Sequence, residues 1–295
     1  MSTNNRDNLG LLLGFIAVLC FGLTLPLTRF AVTELDPVFV SMGRAFIAAI
    51  VAAIILWVRR APFPTRKQIP SLLIVGFSIS IAFPLLVAYA MVSLPASHGG
   101  IVIGFLPIAT TFCIYQMDHE QPSKSFWVSG ILGAISVVGY AILRSGGILH
   151  PADILLLVTV VVGAIGYAHG AILAKSIGGM QVMCWALVLV SPILAFGAIP
   201  QFLRVNATEI SWPIWAAFIY LSLISQLFGM ALWYKALSLG SIVKISQIQL
   251  LQPFFTIGFA ALLFGEHIDT LTWVAAILVV LFIQLSRHAQ VKMGV

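Results

Sequence analysis

The residues able to bind or react are few, and most of them stand inside apolar runs. Between Tyr234 and Glu266 the chain sets Lys244, Gln247, Gln249, Gln252 and Pro253 among aliphatic and aromatic side chains. At about 100° per residue, Ser241, Lys244, Gln247 and Gln252 share one arc of a helix, with Gln249 just outside it. Such an arc is costly against lipid, so it faces protein or water. Lys244 then either meets an anionic group of a solute or reaches the cytoplasmic headgroups from the first helical turn. Gln247 and Gln252 lie deeper, where the choice is between solute contact and interhelical hydrogen bonding. Gln226 and Trp233, seven apart, share another helix face. Tyr167 and His169 are two apart, about 200° around a helix, so at most one of them faces a given cavity. Tyr89, Trp185 and Tyr234 join them as rings that do not fit at span ends. Amphipathic rings with neutral amides suit a small solute that has an apolar part and a polar head.

Catalysis and metal binding have no comparable set. His119, His150, His267 and His288 fall in loops or at ends, which leaves His98 and His169 of the six histidines. Cys20, Cys113 and Cys184 lie in apolar runs, with neither metal-ligand spacing nor a disulfide framework. The nine acidic residues stand at or beyond the ends of apolar runs, away from the depth where proton-coupled pumps hold a titrating carboxylate. The expectation is therefore no enzyme, no metal and no cofactor. Flux without a carboxylate relay follows as well, with His98 and His169 the residues still able to titrate.

The elements that position these residues are membrane spans. The chain is 61% hydrophobic and 8% charged, with a mean hydropathy of +1.09. A water-exposed surface needs about 25% charge. Apolar runs long enough to cross a bilayer are read over 9–32, 37–58, 69–93, 97–117, 125–144, 152–175, 180–202, 212–237, 241–264 and 269–287. The fold class is an all-α polytopic membrane protein of ten transmembrane helices, the first one retained rather than cleaved. Trp57, Trp127, Trp212, Trp215 and Trp273 read as interfacial anchors. Of the 15 Lys and Arg, Arg29, Arg44, Arg144 and Arg204 alone fall on the side opposite the N-terminus. That bias places both termini and 59–68 in the cytoplasm and 203–211 outside. It also explains the formal charge of +6 without nucleic acid.

An offset of 146 positions relates the two halves. It matches Ala90 with Ala236, Pro107 with Pro253, Glu120 with Glu266 and Trp127 with Trp273, and also Asp7 with Asp153. The chain divides into repeats 1–147 and 148–295 of five spans each. An odd number inverts the second repeat, an architecture of secondary transporters that work by alternating access. His98 and Lys244 are equivalents, expected at the outer and inner mouths, where each would meet an anionic group. Gly99, Gly100 and Gly104 permit close backbone approach, to a neighbouring helix before a substrate. Pro107 and Pro253 are expected to bend their helices around the cavity as hinges. Arg44 is expected to pair with Glu34 or Asp36, a structural role set above contact with a substrate.

Ten spans, inverted five-helix repeats, Arg44 and the patterns Ala90…Pro107…Glu120…Trp127 and Ala236…Pro253…Glu266…Trp273 resemble the drug/metabolite transporter (DMT) superfamily, in its EamA-type branch. Within that branch the chain is similar to the YddG-type amino-acid exporters. The resemblance implies a secondary transporter of the bacterial inner membrane that exports small metabolites, above all aromatic and other neutral amino acids. The alternative is broad efflux of drugs or organic cations, which the missing mid-span acid disfavours. The implied partners are a small-molecule substrate and membrane lipid, with the chain acting as a monomer. His119-Glu120 departs from the pattern, since Gly265-Glu266 stands at the equivalent place.

Overall fold

Long apolar runs, whose backbone groups must be satisfied within the segment, give helix after helix. The computed structural model describes residues 3–118, 124–144, 150–206, 208–239 and 245–287, and no strand occurs among them. Among the described residues, seven stretches are long and apolar enough to cross a membrane: Asn8–Ala31, Phe39–Val58, Ile69–Ser93, Ala96–Met117, Pro151–Ile177, Gly179–Phe202 and Trp212–Leu239. The other three expected spans, 125–144, 241–264 and 269–287, correspond to helices with shorter apolar stretches, Ile131–Tyr140, Ile248–Phe264 and Thr270–Leu281. The boundary between the expected repeats, at 147 and 148, lies outside the described residues.

Which face of each helix turns inward is set by side-chain size as well as polarity. On Arg44–Val58 the inward face carries Ala45, Ala48, Ala49 and Ala52, while Ile50, Ile54 and Trp57 are exposed. Small residues let backbones approach, and large apolar ones meet lipid. Trp57, Trp212 and Trp273 are all exposed.

Several spans are broken, and the prolines explain where. Proline lacks an N–H and clashes with the carbonyl four residues earlier, but it is tolerated in a first helical turn. Pro84 is the second residue of helix Phe83–Ser93, which follows a π-helical stretch, Gly76–Ala82. Pro107 is the second residue of Leu106–Asp118, after a turn at Gly104 and Phe105. Pro253 is the second residue of Gln252–Phe264, after the 3₁₀ stretch Gln247–Leu251. Pro107 and Pro253 thus begin new helical segments rather than kink continuous ones. Pro192 and Pro200 remain inside Gly179–Phe202.

Packing is crossed between the halves. Helix Thr3–Gly22 packs on Met230–Leu239, and Pro151–Ile177 packs on Phe83–Ser93. Helix Arg44–Val58 lies against Gly179–Phe202, and Lys124–Arg144 against Thr270–Arg287. Close approach has a visible cost at Gly170, where a Cβ would stand 2.2 Å from the Tyr234 ring. Gly265, at φ 63°, ends Gln252–Phe264 in the left-handed conformation, which a residue without Cβ adopts freely. The chain reverses there, and the Glu266 N–H donates back to the Ala260 carbonyl at 3.2 Å.

Candidate functional site

Among the described residues, three helices depart from α geometry by widening into π-helix: Phe39–Gly43, Gly76–Ala82 and Tyr220–Gly229. Widened turns of this kind recur at functional sites. Two of them, and the residue that follows the first, border one cavity deep in the molecule. Arg44 follows the first, Ile79 belongs to the second, and Ser225 and Gln226 to the third. The remaining polar walls are Thr24, just past the break at Leu23, and Gln252, just past the 3₁₀ stretch. Phe21, Phe83 and Tyr167 supply rings, and Leu25, Ile103 and Met230 complete the lining.

The polar side chains here are buried and partly committed. The Thr24 and Ser225 hydroxyls are 2.8 Å apart. Gln226 Nε2 donates to the Ile79 carbonyl and to Ser80 Oγ, both at 3.2 Å, which leaves its carbonyl oxygen as the acceptor. Gln249 Nε2 approaches Gln252 Oε1 at 3.4 Å. Arg44 is 2% exposed, and its Nε and Nη1 have no acceptor. The space between these walls is about 40 Å³. A small-molecule site needs roughly 300 Å³ or more, so this space as it stands is smaller than one.

The expected pairing of Arg44 with Glu34 or Asp36 is corrected. Glu34 accepts from the Ser211 N–H and hydroxyl at 2.7 and 2.8 Å. Asp36 caps the following turn, accepting from the Val38 N–H at 2.8 Å and the Phe39 N–H at 3.4 Å. Both carboxylates are used at helix ends, where orphan N–H groups need them.

Of the residues expected at a binding site, Gln226 and Gln252 line the cavity. Tyr167 lines it while His169 instead faces Ser71, Nδ1 to Oγ at 3.4 Å. Tyr234 is buried behind Tyr167, ring centroids 6.4 Å apart, and donates its hydroxyl to the Gly166 carbonyl at 3.1 Å. Tyr89 is 45% exposed on the outer face of its helix. Trp185 stacks edge-on against Phe63 near the loop 59–68, ring centroids 4.9 Å apart. Lys244 lies outside the described residues, and of Gln247 only the backbone is described.

His98 is fully buried rather than open at a mouth: its Nε2 stands 2.6 Å from Asp153 Oδ1. Gly99 faces Met91, Gly100 faces Thr256, and Gly104 faces Pro253. These glycines make helix contacts, and none of Gly99, Gly100 and Gly104 lines the cavity.

Near His98, further contacts join the two halves at one end of the molecule. Glu266 accepts from the Ala96 and Ser97 N–H groups at 2.8 and 3.1 Å, which caps helix Ala96–Ile103, and it stands 3.5 Å from Arg29. Arg29 also donates to the Leu94 carbonyl. Glu34 on Ser211 adds another tie between the halves at this end.

Thr24 and Ser225 are polar lining residues that sequence patterns passed over, and Arg44 is one whose structural role they set first. For Arg44 the signal was present: Asp36 before Pro37 is an N-cap arrangement, so it was already spoken for. Thr24 and Ser225 carried none, since single hydroxyls in apolar helices usually bond their own backbone.

Comparison with known proteins follows the same lines. The sequence model of the EamA-like transporter family matches the chain twice, over residues 8–142 and 150–287. A Bacillus subtilis (strain 168) protein described as "Uncharacterized transporter YdeK" is 36% identical over 287 residues, which cover 96% of this chain and 99% of that relative. A solved crystal structure whose title gives no function superposes with a TM-score of 0.65 at 15% identity, covering 95% of this chain and 97% of that one. That likeness is one of fold.

Proposed function

The chain belongs to the EamA-like transporter family and is a membrane transporter rather than an enzyme; from that premise we propose that it exports small metabolites, foremost aromatic and other neutral amino acids, by alternating access. The observation that carries this reading is the central cavity, whose walls combine rings (Phe21, Phe83, Tyr167) with neutral amides and hydroxyls (Thr24, Ser225, Gln226, Gln252). A zwitterion with an apolar side chain matches both parts. No Asp or Glu lines it among the described residues, and an organic cation would want one.

The working parts proposed are ten spans in two inverted five-helix repeats, 1–147 and 148–295. The two family matches, 8–142 and 150–287, support a duplication. So do the π-helical stretches: Gly76–Ala82 shifted by 146 falls within Tyr220–Gly229. Ser80 and Gln226, which bond to each other, are themselves 146 apart. With both termini cytoplasmic in a bacterial-type inner membrane, the end tied by Glu266 and Glu34 is external and closed here. Pro107 and Pro253, beginning segments after a break, are the hinges. Lys244 would stand at the inner mouth, and its role there rests on the repeat equivalence alone.

Purified protein in liposomes tests the reading. Counterflow of labelled phenylalanine and leucine is expected at equal internal and external pH, with no transport of a cationic dye. Transport of the dye without any amino acid would refute it. Amino-acid flux that appears only under a pH gradient would keep the solute and reveal proton coupling.

A further inference from the structure

We propose that Arg44 is the anion-binding residue of the central cavity and receives the carboxylate of the transported solute. The inference deepens the reading above, since it names the group of the substrate that the site recognises. Arg44 is 2% exposed, lines the cavity, and has Nε and Nη1 without an acceptor. A guanidinium stays charged and carries five donors in a planar fork. Holding one unpaired in a low-dielectric interior is expensive.

The protein supplies no counter-ion among the described side chains. Glu34 is on Ser211, Asp36 on its own helix N-terminus, and Asp153 on His98. Glu209 is on Asn206, Glu266 on Arg29 and two backbone N–H groups, and Asp269 on Thr272. An entering carboxylate would meet the fork in the bidentate geometry that suits it, so the cost of the buried charge is relieved when substrate arrives. The opposite pole of a zwitterion then has the Gln226 carbonyl oxygen, oriented by the bonds its Nε2 makes to Ile79 and Ser80. The rings of Phe21, Phe83 and Tyr167 are left for the side chain.

The test uses the full chain in detergent and in liposomes, with phenylalanine, phenylpyruvate, phenylacetate and phenethylamine as probes. These share an aromatic ring and differ in carboxylate and amine. Wild type is expected to be thermally stabilised by carboxylate probes and not by phenethylamine, and to carry at least one of them. Arg44→Gln is expected to lower that flux by about 100-fold and Arg44→Lys by about 10-fold, because Lys keeps the charge but loses the fork. Rates are normalised to folded protein by size-exclusion chromatography. Wild-type flux in Arg44→Gln overturns the proposal. Should both variants misfold, the wild-type panel decides alone: stabilisation by phenethylamine, or by no carboxylate, also overturns it. Phenylpyruvate or phenylacetate carried in an Arg44-dependent way, with phenylalanine ignored, upholds Arg44 and refutes the amino-acid reading.

Discussion

Removing the Glu266 carboxylate should open the closed end of the molecule. Its two acceptor bonds to the Ala96 and Ser97 N–H groups cross between the halves, and the side chain is only 12% exposed. In Glu266→Ala these two donors lose their acceptor while that end is closed, and water satisfies them only once it opens. Each such loss is worth about 1 kcal/mol net, so the closed state weakens by about 2 kcal/mol and the open population rises about 25-fold. The Arg29 pair contributes less, because it spans 3.5 Å and the Arg29 side chain is 39% exposed. Ser97 is 4% exposed, so Ser97→Cys on a background lacking Cys20, Cys113 and Cys184 reports opening. Its rate of modification by a membrane-impermeant maleimide should rise about 25-fold in Glu266→Ala, and no more than about 5-fold in Arg29→Ala. An unchanged rate in Glu266→Ala would refute the reasoning. So would an Arg29→Ala effect as large, since the ion pair and not the cap would then hold this end.

Three further outcomes are expected. A cysteine at exposed Asn206 is labelled from outside the cell and one at exposed Thr65 is not; the reverse pattern overturns the proposed sidedness. Gly170→Ala puts a Cβ within 2.2 Å of the Tyr234 ring, an overpacking cost of about 1–3 kcal/mol, and should lower the apparent Tm more than Tyr234→Phe. The latter loses one hydrogen bond to Gly166, about 1 kcal/mol; equal Tm shifts would contradict the packing account. Asp153→Asn removes the carboxylate that meets His98 at 2.6 Å and the His150 N–H at 2.9 Å. It should cost about 3 kcal/mol, against a negligible effect of Glu209→Gln at an exposed site, and similar melting curves for the two variants would contradict the buried-pair account.

Periodicity and charge made the helices legible. The expected span 69–93 coincides with Ile69–Ser93, and 180–202 with Gly179–Phe202, because length and hydropathy decide both. The internal breaks were legible only in part. Proline marks where a helix cannot run on, but not whether the chain answers with a kink, a turn or a wider coil. Pro84, Pro107 and Pro253 were each met differently. Gln226 and Gln252 were readable as site residues because amides deep in an apolar helix need a wet or polar neighbour. Arg44 was assigned to acids close in sequence, whereas its true surroundings come from helices far away along the chain. His98 was placed at a mouth by its rank in the repeat, and Asp153 had no pattern that announced it as a partner.

The bond between Ser80 and Gln226 has a mechanical consequence. If the two halves exchange conformations, a contact between non-equivalent residues, such as Glu266 with Ala96, must break and be replaced elsewhere. A contact between residues that correspond to each other is carried onto itself, so it survives the exchange. Ser80 and Gln226 would thus form a fulcrum, still at the centre while both ends travel. The energy barrier to turnover would then be set at the rims, and substitutions that speed or slow the cycle would cluster there and not around the fulcrum.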